Sequence, residues 1–499
     1  MKTDVLIIGA GPTGLSLACQ LVRYGIDFVI VEKKEGVTPF SKAIGTHART
    51  LEIYEQLDLA DKAIEEGAIA DKAKLLVDGE VRGELQFGRI GEGLSRYPFI
   101  LMLEQSKNEQ LLYDYVRSHG REVNWQTELE DFTQSVSGVT ARVKSAGGGS
   151  QTIEAKYMVG CDGPRSLVRN KLGIEFGGST FERTFYVTDA QIDWQFSHDA
   201  LHACLAKESF VLFFPLRGEK RYRIVGVFPE EFAKDEGDVL YEEIETEIKQ
   251  LSELDLDIHH VEWFSTYKVH TRHASRFSDG RCFLAGDAAH IHTPAGAQGM
   301  NTGIQDAYNL AWKLALVLQN VAGEGLLNTY NEERLENAKN LLRTTDRMFQ
   351  MAAGDQWWIA FLRTSVLPAF ANAILNLEWV RKAIFPTLSQ IGINYRHSSL
   401  SRHAGDEDFT VKAGDRMPYI PNVYDRLHAP KFHVLAFGNH LEIESQLLDC
   451  NSFELTDEVK QIFGTHQPFT ILLRPDNHIG FIGARVSLTE VENYIGSKR

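Results

Sequence analysis

The sequence predicts an α/β protein: a Rossmann-type, doubly wound domain interrupted by a mainly antiparallel β-sheet and followed by a further, smaller unit. Three observations predict it. A glycine-rich turn, Gly9-Ala10-Gly11-Pro12-Thr13-Gly14, directly follows the apolar run Val5-Leu6-Ile7-Ile8. A second turn, Ala285-Gly286-Asp287-Ala288, lies far along the chain and is followed by Pro294 and by Gln298-Gly299-Met300-Asn301. Between them, residues 177–269 carry strand patterns at 185–192, 209–216, 222–228 and 263–269, with one helical stretch at 239–251.

The amino-terminal turn has a direct physical reading. Residues 4–9 read as a buried parallel strand, and 14–23 repeats apolar positions at helical spacing. Gly9 permits the tight turn, Gly11 lets the backbone approach a pyrophosphate, and Gly14 allows close packing of helix on strand. Pro12 and Thr13 complete the turn, where the helix N-terminus offers free N–H groups and its positive dipole end to phosphates. A second strand, 28–31, ends at Glu32, about 20 residues on, where an acid binds ribose hydroxyls; Lys33 follows it. This fingerprint suits NAD as well as FAD. The distant Gly286-Asp287 turn favours FAD, whose ribityl chain and flavin ring must be held far from the adenosine. Backbone N–H groups of Gly299, Met300 and Asn301, at a helix N-terminus, are then expected to stabilise negative charge at the flavin N1–C2=O edge. No second GxGxxG follows a strand, so no separate nicotinamide-binding domain is expected.

Composition narrows the class. A chain of 499 residues holds two or three compact units, and its net charge of −16, without a dense Lys/Arg tract, argues against nucleic acid and anionic membranes as partners. Cys19, Cys161, Cys204, Cys282 and Cys450 are scattered and form no CxxC, as structural thiols in a reducing compartment would. Met1-Lys2-Thr3 runs straight into the first strand, leaving no room for a signal or transit peptide, so a cytoplasmic protein is expected. His290 and His292 stand two apart without a third ligand, so no metal is expected. The aromatic-rich stretch 348–385 is interrupted by Asp355, Arg363, Glu378, Arg381 and Lys382; it reads as packed helices over the active site rather than a membrane span.

Helices are expected at 42–59, at 103–117 and from Thr302 onward, and alternation over 122–160 carries a hairpin signal at Gly147-Gly148-Gly149. The expected division is 1–175 (first part of the FAD-binding domain), 176–273 (substrate-binding sheet), 274–395 (second part, with helices over the active site) and 396–499, which includes a strand at 469–476.

Three segments in this order, GAGPTG at 9–14, VGCDGPRSLVR at 159–169 and FLAGDAAHIHTPAGAQGMNTGIQDAYNLAWKLA at 283–315, carry a resemblance. The chain resembles the single-component FAD-dependent aromatic hydroxylases, the group A flavoprotein monooxygenases built like p-hydroxybenzoate hydroxylase, over about residues 1–350. Its last hundred residues resemble the thioredoxin-like tail of the phenol and polyketide hydroxylase branch; without a CxxC, the resemblance implies a structural unit with no redox activity. It also implies Gly9, Gly11, Gly14 and Glu32 at the FAD adenosine, and Lys42 beside the pyrophosphate where many members carry arginine. Arg49 and Gln105 match positions touching the cofactor. Asp162 and Gly163, with Arg165 and Arg169 nearby, match a motif serving both FAD and nicotinamide. Asp287 matches the aspartate of the ribityl chain, and Ala297 stands where the family's Pro-x-Gly-Gly-Gln-Gly loop has its second glycine.

The implied enzyme is an NAD(P)H- and O2-dependent monooxygenase with non-covalent FAD, monomeric or homodimeric, hydroxylating a phenolic or larger aromatic substrate through a C4a-hydroperoxyflavin. NAD(P)H would bind transiently across a cleft. Other readings are a flavin halogenase, a flavin oxidase or dehydrogenase without oxygen insertion, and a non-catalytic FAD-binding protein. Trp357-Trp358-Ile359 lacks the halogenase Trp-x-Trp-x-Ile-Pro pattern and lies elsewhere, and an oxidase leaves Asp162-Gly163 without evident use. The substrate pocket is expected between one face of the 180–270 sheet and the 350–390 helices. A phenol is more nucleophilic when deprotonated, so a base is expected; Tyr222, His202 and Tyr186 are candidates by residue type alone.

Overall fold

In the computed structural model the described residues are 1–499 apart from 42, 208, 230–237, 294, 354–363, 365–377, 405–407, 441–446, 485–493 and 495–499. The strand Lys2–Ile8 leads through the glycine turn into the helix Pro12–Arg23 and back to the strand Phe28–Val31, a βαβ unit with its core side fully buried. Lys2–Ile8 is the centre of an eight-stranded sheet, in parallel between Phe28–Val31 and Ser150–Gly160, with Cys282–Leu284 parallel to Ser150–Gly160 in turn. The register aligns four strand ends in one row: Val31 opposite Ile8, Ile8 opposite Gly160, and Gly160 opposite Leu284. The loops after these strands therefore emerge side by side at the carboxyl edge, where open α/β sheets bind their ligands.

A second eight-stranded sheet runs His290–Ile291, Asp257–Ala274, Phe176–Asp193, Arg221–Val227, Phe210–Pro215, Ala200–Leu205, Lys72–Val77, Glu80–Gln86. It is antiparallel except where Ala200–Leu205 meets Lys72–Val77. This sheet draws strands from 1–175 and from 274–395 as well as from 176–273, and the strand at Ala200–Leu205 goes beyond the patterns read from sequence. The helix Tyr241–Ser252 covers one face, burying Tyr186, Cys204, Val211, Phe213, Tyr222 and Ile224 beneath Ile244 and Ile248.

The carboxyl-terminal unit holds a five-stranded sheet ordered Arg402–Ala404, Ile479–Gly483, Phe469–Leu473, Phe432–Phe437, Leu448–Phe453, with the helix Asp457–Phe463. One face has its own core around Leu435, Phe437, Phe463 and Phe469. Alternate residues Phe432, Val434, Leu472 and Phe481 point the other way and join the main core, where Phe432 meets Trp312 edge-on at 5.9 Å between ring centres. Two helix expectations shift. Gly45–Thr46 is a strand ahead of a shorter helix Ala48–Glu55, and the long helix starts earlier than read, as Gly299–Leu318. Most of the 348–385 stretch lies outside the described residues; Glu378–Leu388 within it is a helix. No described helix is long and apolar enough to cross a membrane.

Candidate active site

The aligned strand ends bring the two distant turns into contact. Gly9 has φ +103°, and a Cβ there would lie 2.4 Å from the Cys161 carbonyl oxygen; one at Gly14 would lie 2.0 Å from the Gly9 oxygen. Gly286 has φ +62°, and its Cβ would fall 2.4 Å from Thr13 Oγ1, while one at Gly303 would fall 2.3 Å from the same atom. The glycine turn, the acidic turn and the start of the Gly299–Leu318 helix thus interlock around Thr13. At Gly11 and Gly163 a Cβ would meet nothing within 4 Å. Side chains are excluded where backbone meets backbone, and the backbone is open where a pyrophosphate would lie against the Pro12–Arg23 helix N-terminus. These residues fit FAD.

Charged groups line the same edge. Glu32 is buried at the end of its strand and accepts from the Ala10 N–H at 2.8 Å and the Lys34 N–H at 3.0 Å, which fixes its carboxylate beside the turn. Lys33 is exposed next to it. Asp287 is exposed on a turn whose neighbours Gly286 and Ala288 are buried. Gln105 donates to Glu109 at 2.8 Å, and Glu109 also accepts from the Thr38 N–H at 2.8 Å. Asp162 accepts from the Val168 N–H at 3.2 Å at the start of the short helix Leu167–Lys171, which Ser166 caps, while Asp162 Oδ1 is buried without a hydrogen-bond partner. Burial pushes the Asp162 carboxyl above the usual range. Arg169 donates to the Ala288 carbonyl at 2.8 Å and the Pro164 carbonyl at 2.7 Å, tying the 162–164 turn to the acidic turn; Arg165 is exposed beside it. Lys42 and Pro294 lie outside the described residues. Arg49, expected at the cofactor, is not aimed there. Its guanidinium is buried against Glu52 at 3.1 Å and donates to the Asp476 carbonyl at 2.6 Å, in the seam with the carboxyl-terminal unit.

The helix N-terminus at Gly299-Met300-Asn301 is held by Asn301. Its amide oxygen accepts from the His47 N–H (2.9 Å) and the Thr50 hydroxyl (2.7 Å); its amide nitrogen donates to Gly45 O (2.8 Å) and Ala297 O (2.9 Å). Ala297 takes φ +54°, a conformation that favours glycine, and its Cβ sits where a Cβ at Gly45 would come within 2.5 Å. The alanine at the family's glycine position is thus accommodated by Gly45 opposite. His47 donates from Nε2 to the Gly296 carbonyl at 2.7 Å, leaving Nδ1 buried and unpaired; burial lowers its pKa to about 4. His290 pairs with Asp306 at 2.8 Å, and Asp306 also accepts from the Gly286 N–H at 2.9 Å. His292 donates from Nδ1 to the Thr293 carbonyl at 2.8 Å, and no group of three or more His, Cys, Asp or Glu that could hold a metal occurs among the described residues.

Among the described residues, the face of the second sheet away from the Tyr241–Ser252 helix carries the contacts toward this edge. Phe40 meets Trp263 at 6.0 Å between ring centres, and Ile44 and Met102 pack with Leu216, Leu201 and Phe214. Strand alternation sorts the candidates. Leu201, Leu205, Leu212, Phe214, Val225 and Tyr267 on this face are only half-buried. Tyr222, His202 and Tyr186 are on the opposite face, fully buried beneath the Tyr241–Ser252 helix. The proposed bases are therefore out of reach of a substrate: residue type does not tell which face a strand residue takes. Sequence reasoning missed instead a buried pair on the open face. Arg223 donates to both Asp189 oxygens at 2.7 Å, Trp263 Nε1 donates to the same carboxylate at 2.8 Å, and Arg223 Nη1 is buried without a hydrogen-bond partner. The alternating pattern of 185–192 and 222–228, each with one charged residue amid apolar ones, was the available signal.

Comparison with known proteins agrees with this geometry. The family described as FAD binding domain matches residues 2–345. The chain is 31% identical over 501 residues to the Bacillus subtilis protein named uncharacterized aromatic compound monooxygenase YhjG, covering 96% of this chain and 94% of that one. It is 35% identical over 434 residues to the 12-dehydrotetracycline 5-monooxygenase/anhydrotetracycline 6-monooxygenase of Streptomyces rimosus, covering 83% and 82%. Among solved structures, the OxyS anhydrotetracycline hydroxylase from Streptomyces rimosus superposes with a TM-score of 0.75 at 27% identity, covering 97% of this chain and 96% of that one. The fold and site define a flavoprotein, and the chain belongs to this family of FAD-binding proteins.

Proposed function

We propose that this FAD-dependent aromatic monooxygenase draws electrons from NAD(P)H and inserts one oxygen atom of O2 into a phenolic ring of a multi-ring substrate. The observation that carries the reading is the meeting of the 9–14 and 286–287 turns at Thr13, together with a sheet face of half-buried apolar residues that packs through Leu216, Leu201 and Phe214 against Ile44 and Met102. Bound FAD supplies hydride acceptance and oxygen activation. The Gly9–Gly14 backbone, with Pro12 and Thr13, holds the pyrophosphate; Glu32 binds ribose; Asp287 binds the ribityl chain. N–H groups of Gly299, Met300 and Asn301 stabilise charge on the flavin ring, and Asp162-Gly163 with Arg165 guides the nicotinamide. Gln105, which also donates to Glu109, contacts the cofactor.

The open sheet face takes the aromatic substrate. Leu201, Leu212, Phe214, Val225 and Tyr267 form its apolar wall, and the spare Nη1 of Arg223 suits an acidic oxygen such as a phenolate or enolate. Stabilising that anion makes the ring more nucleophilic. Residues 1–175 and 274–395 build the flavin unit, 176–273 supplies most of the substrate sheet, and 396–499 forms a thioredoxin-like unit. Cys450 is the single cysteine of that unit, so it carries no dithiol pair. The test uses the holoenzyme with anhydrotetracycline as probe. The reading expects the probe to stimulate NAD(P)H oxidation with peroxide well below stoichiometric. Oxidation that releases one peroxide per NAD(P)H under all conditions would support an oxidase instead.

A further inference from the structure

The carboxyl-terminal unit reaches the acidic turn through an unbroken set of buried contacts. Its turn at 473–479 carries Arg474, Asp476 and His478. Arg474 donates to both Glu333 oxygens (2.7 and 3.0 Å) and to Asp476 Oδ1 at 3.0 Å; Glu333 also holds Lys313 at 2.8 Å. The turn then presses on Tyr395: the His478 ring lies 4.4 Å from the Tyr395 ring, and the Arg474 guanidinium 5.2 Å from its centre. The Tyr395 hydroxyl accepts from Arg334 Nη1 at 2.9 Å. Arg334 also donates to Asp306 at 2.7 Å and to the Thr302 carbonyl at 3.1 Å. Asp306 closes the path by accepting from the Gly286 N–H and from His290.

Lys313, Glu333, Arg334, Asp306, Arg474 and Asp476 are all at most 1% exposed. Burying paired charges is costly and contributes little net stability, while removing one partner leaves an uncompensated buried charge, so these groups hold one another as a unit. Two further grips hold the same turn: the Tyr308 hydroxyl donates to Pro475 O at 3.2 Å, and Arg49 donates to Asp476 O. Both come from helices that meet at Asn301, Ala48–Glu55 and Gly299–Leu318, where the Thr50 hydroxyl donates to the Asn301 amide oxygen.

We infer that the carboxyl-terminal unit is a working part of the flavin site, and that its 473–479 turn, acting through Tyr395, Arg334 and Asp306, sets the position of the Gly286–Asp287 turn. His478 and Tyr395 are positioning residues: neither touches the cofactor, and both act through Arg334 and Asp306. The inference rests on the reading that Asp287 holds the FAD ribityl chain.

The experiment follows FAD release from the full-length holoenzyme by fluorescence, together with visible circular dichroism of the bound flavin and thermal unfolding. His478→Ala removes the ring that presses on Tyr395, His478→Phe restores a ring there, and Tyr395→Phe deletes only the hydroxyl. The expected result is FAD affinity weakened five- to tenfold in His478→Ala and Tyr395→Phe with altered flavin dichroism, and recovered in His478→Phe. Combined with Asp306→Asn, the effect of Tyr395→Phe should vanish, because both act on one path. Wild-type affinity and dichroism in His478→Ala and Tyr395→Phe, with only the unfolding temperature lowered, would overturn the inference. Asp287→Ala, run alongside, separates the two levels. Undiminished FAD affinity there removes the reading of the acidic turn, whereas loss in Asp287→Ala with none in the other two removes the relay alone.

Discussion

At the scale of single residues, the site is made by atoms that cannot be there as much as by those that are. Thr13 Oγ1 occupies the space a side chain would need at Gly286 and at Gly303. Gly303→Ala keeps helical backbone geometry, so its whole effect is the push on Thr13 and the acidic turn; FAD affinity should fall several-fold with helix content unchanged, measured by flavin titration of the apoprotein. On the proposed assignment, Asp287→Ala removes a charge-assisted hydrogen bond to the ribityl chain, worth about 1.5–3 kcal/mol, at least a tenfold loss of FAD. Unchanged binding in that variant would take Asp287 out of the site. His202 is a residue of another kind. Burial, helped by Lys74, lowers its pKa to about 4, and both ring nitrogens lack partners among Trp194, Phe196 and Phe213. The folded imidazole stays neutral while the unfolded one protonates near pH 6.5, so its contribution is present above that pH and is lost as pH falls toward 4. His202→Phe should flatten the pH dependence of unfolding in that window by one proton, about 1.4 kcal/mol per pH unit, while aromatic turnover persists. An unaltered slope would mean that the imidazole is already protonated in the folded protein.

At the scale of elements, the flavin-binding loops were legible because they are local. A strand, a turn with glycines at fixed offsets and a helix occupy consecutive residues, and Glu32 follows at the end of the next strand. The long Gly299–Leu318 helix was also legible, with Gly299-Met300-Asn301 read as its N-terminus and its regular turns expected only from Thr302. What sequence could not yield is which face of the second sheet looks toward the flavin. Tyr222 and Arg223 are adjacent in the chain and point to opposite sides; only the covering helix Tyr241–Ser252 decides that Tyr222 belongs to its core, while Arg223 is buried against Asp189 on the other face. Lys72–Val77 escaped notice as a sheet member for a related reason, since its pairing partner Ala200–Leu205 lies more than a hundred residues away, and Glu80–Gln86 joins the sheet only through Lys72–Val77. The element-level prediction concerns that face. Arg223→Met should weaken binding of anhydrotetracycline, followed by perturbation of the flavin absorbance, at least tenfold at pH 8, where the probe is more ionised. Tyr222→Phe should leave it within twofold. Equal losses in the two variants would return the substrate to the covered face.

At the scale of the whole molecule, three stretches of chain depend on one another. The four aligned strand ends collect the cofactor loops, the second sheet borrows strands from both flanking segments, and the carboxyl-terminal unit docks its alternate residues into the main core. Arg49 illustrates why this level was hidden. Resemblance assigns it to the cofactor, yet its guanidinium serves the Asp476 carbonyl, more than four hundred residues on. Such contacts are long-range in sequence and have no local pattern. On the proposed function, this assembly directs oxygen from O2 into an aromatic ring held on the sheet. The most direct measurement supplies the holoenzyme with NAD(P)H, anhydrotetracycline and 18O2, and reads the mass of the product. The account predicts a product heavier by one 18O atom, formed in step with NAD(P)H consumed and reduced at least tenfold in Arg223→Met. NAD(P)H consumption that yields only labelled peroxide, with the aromatic recovered unchanged, would contradict it.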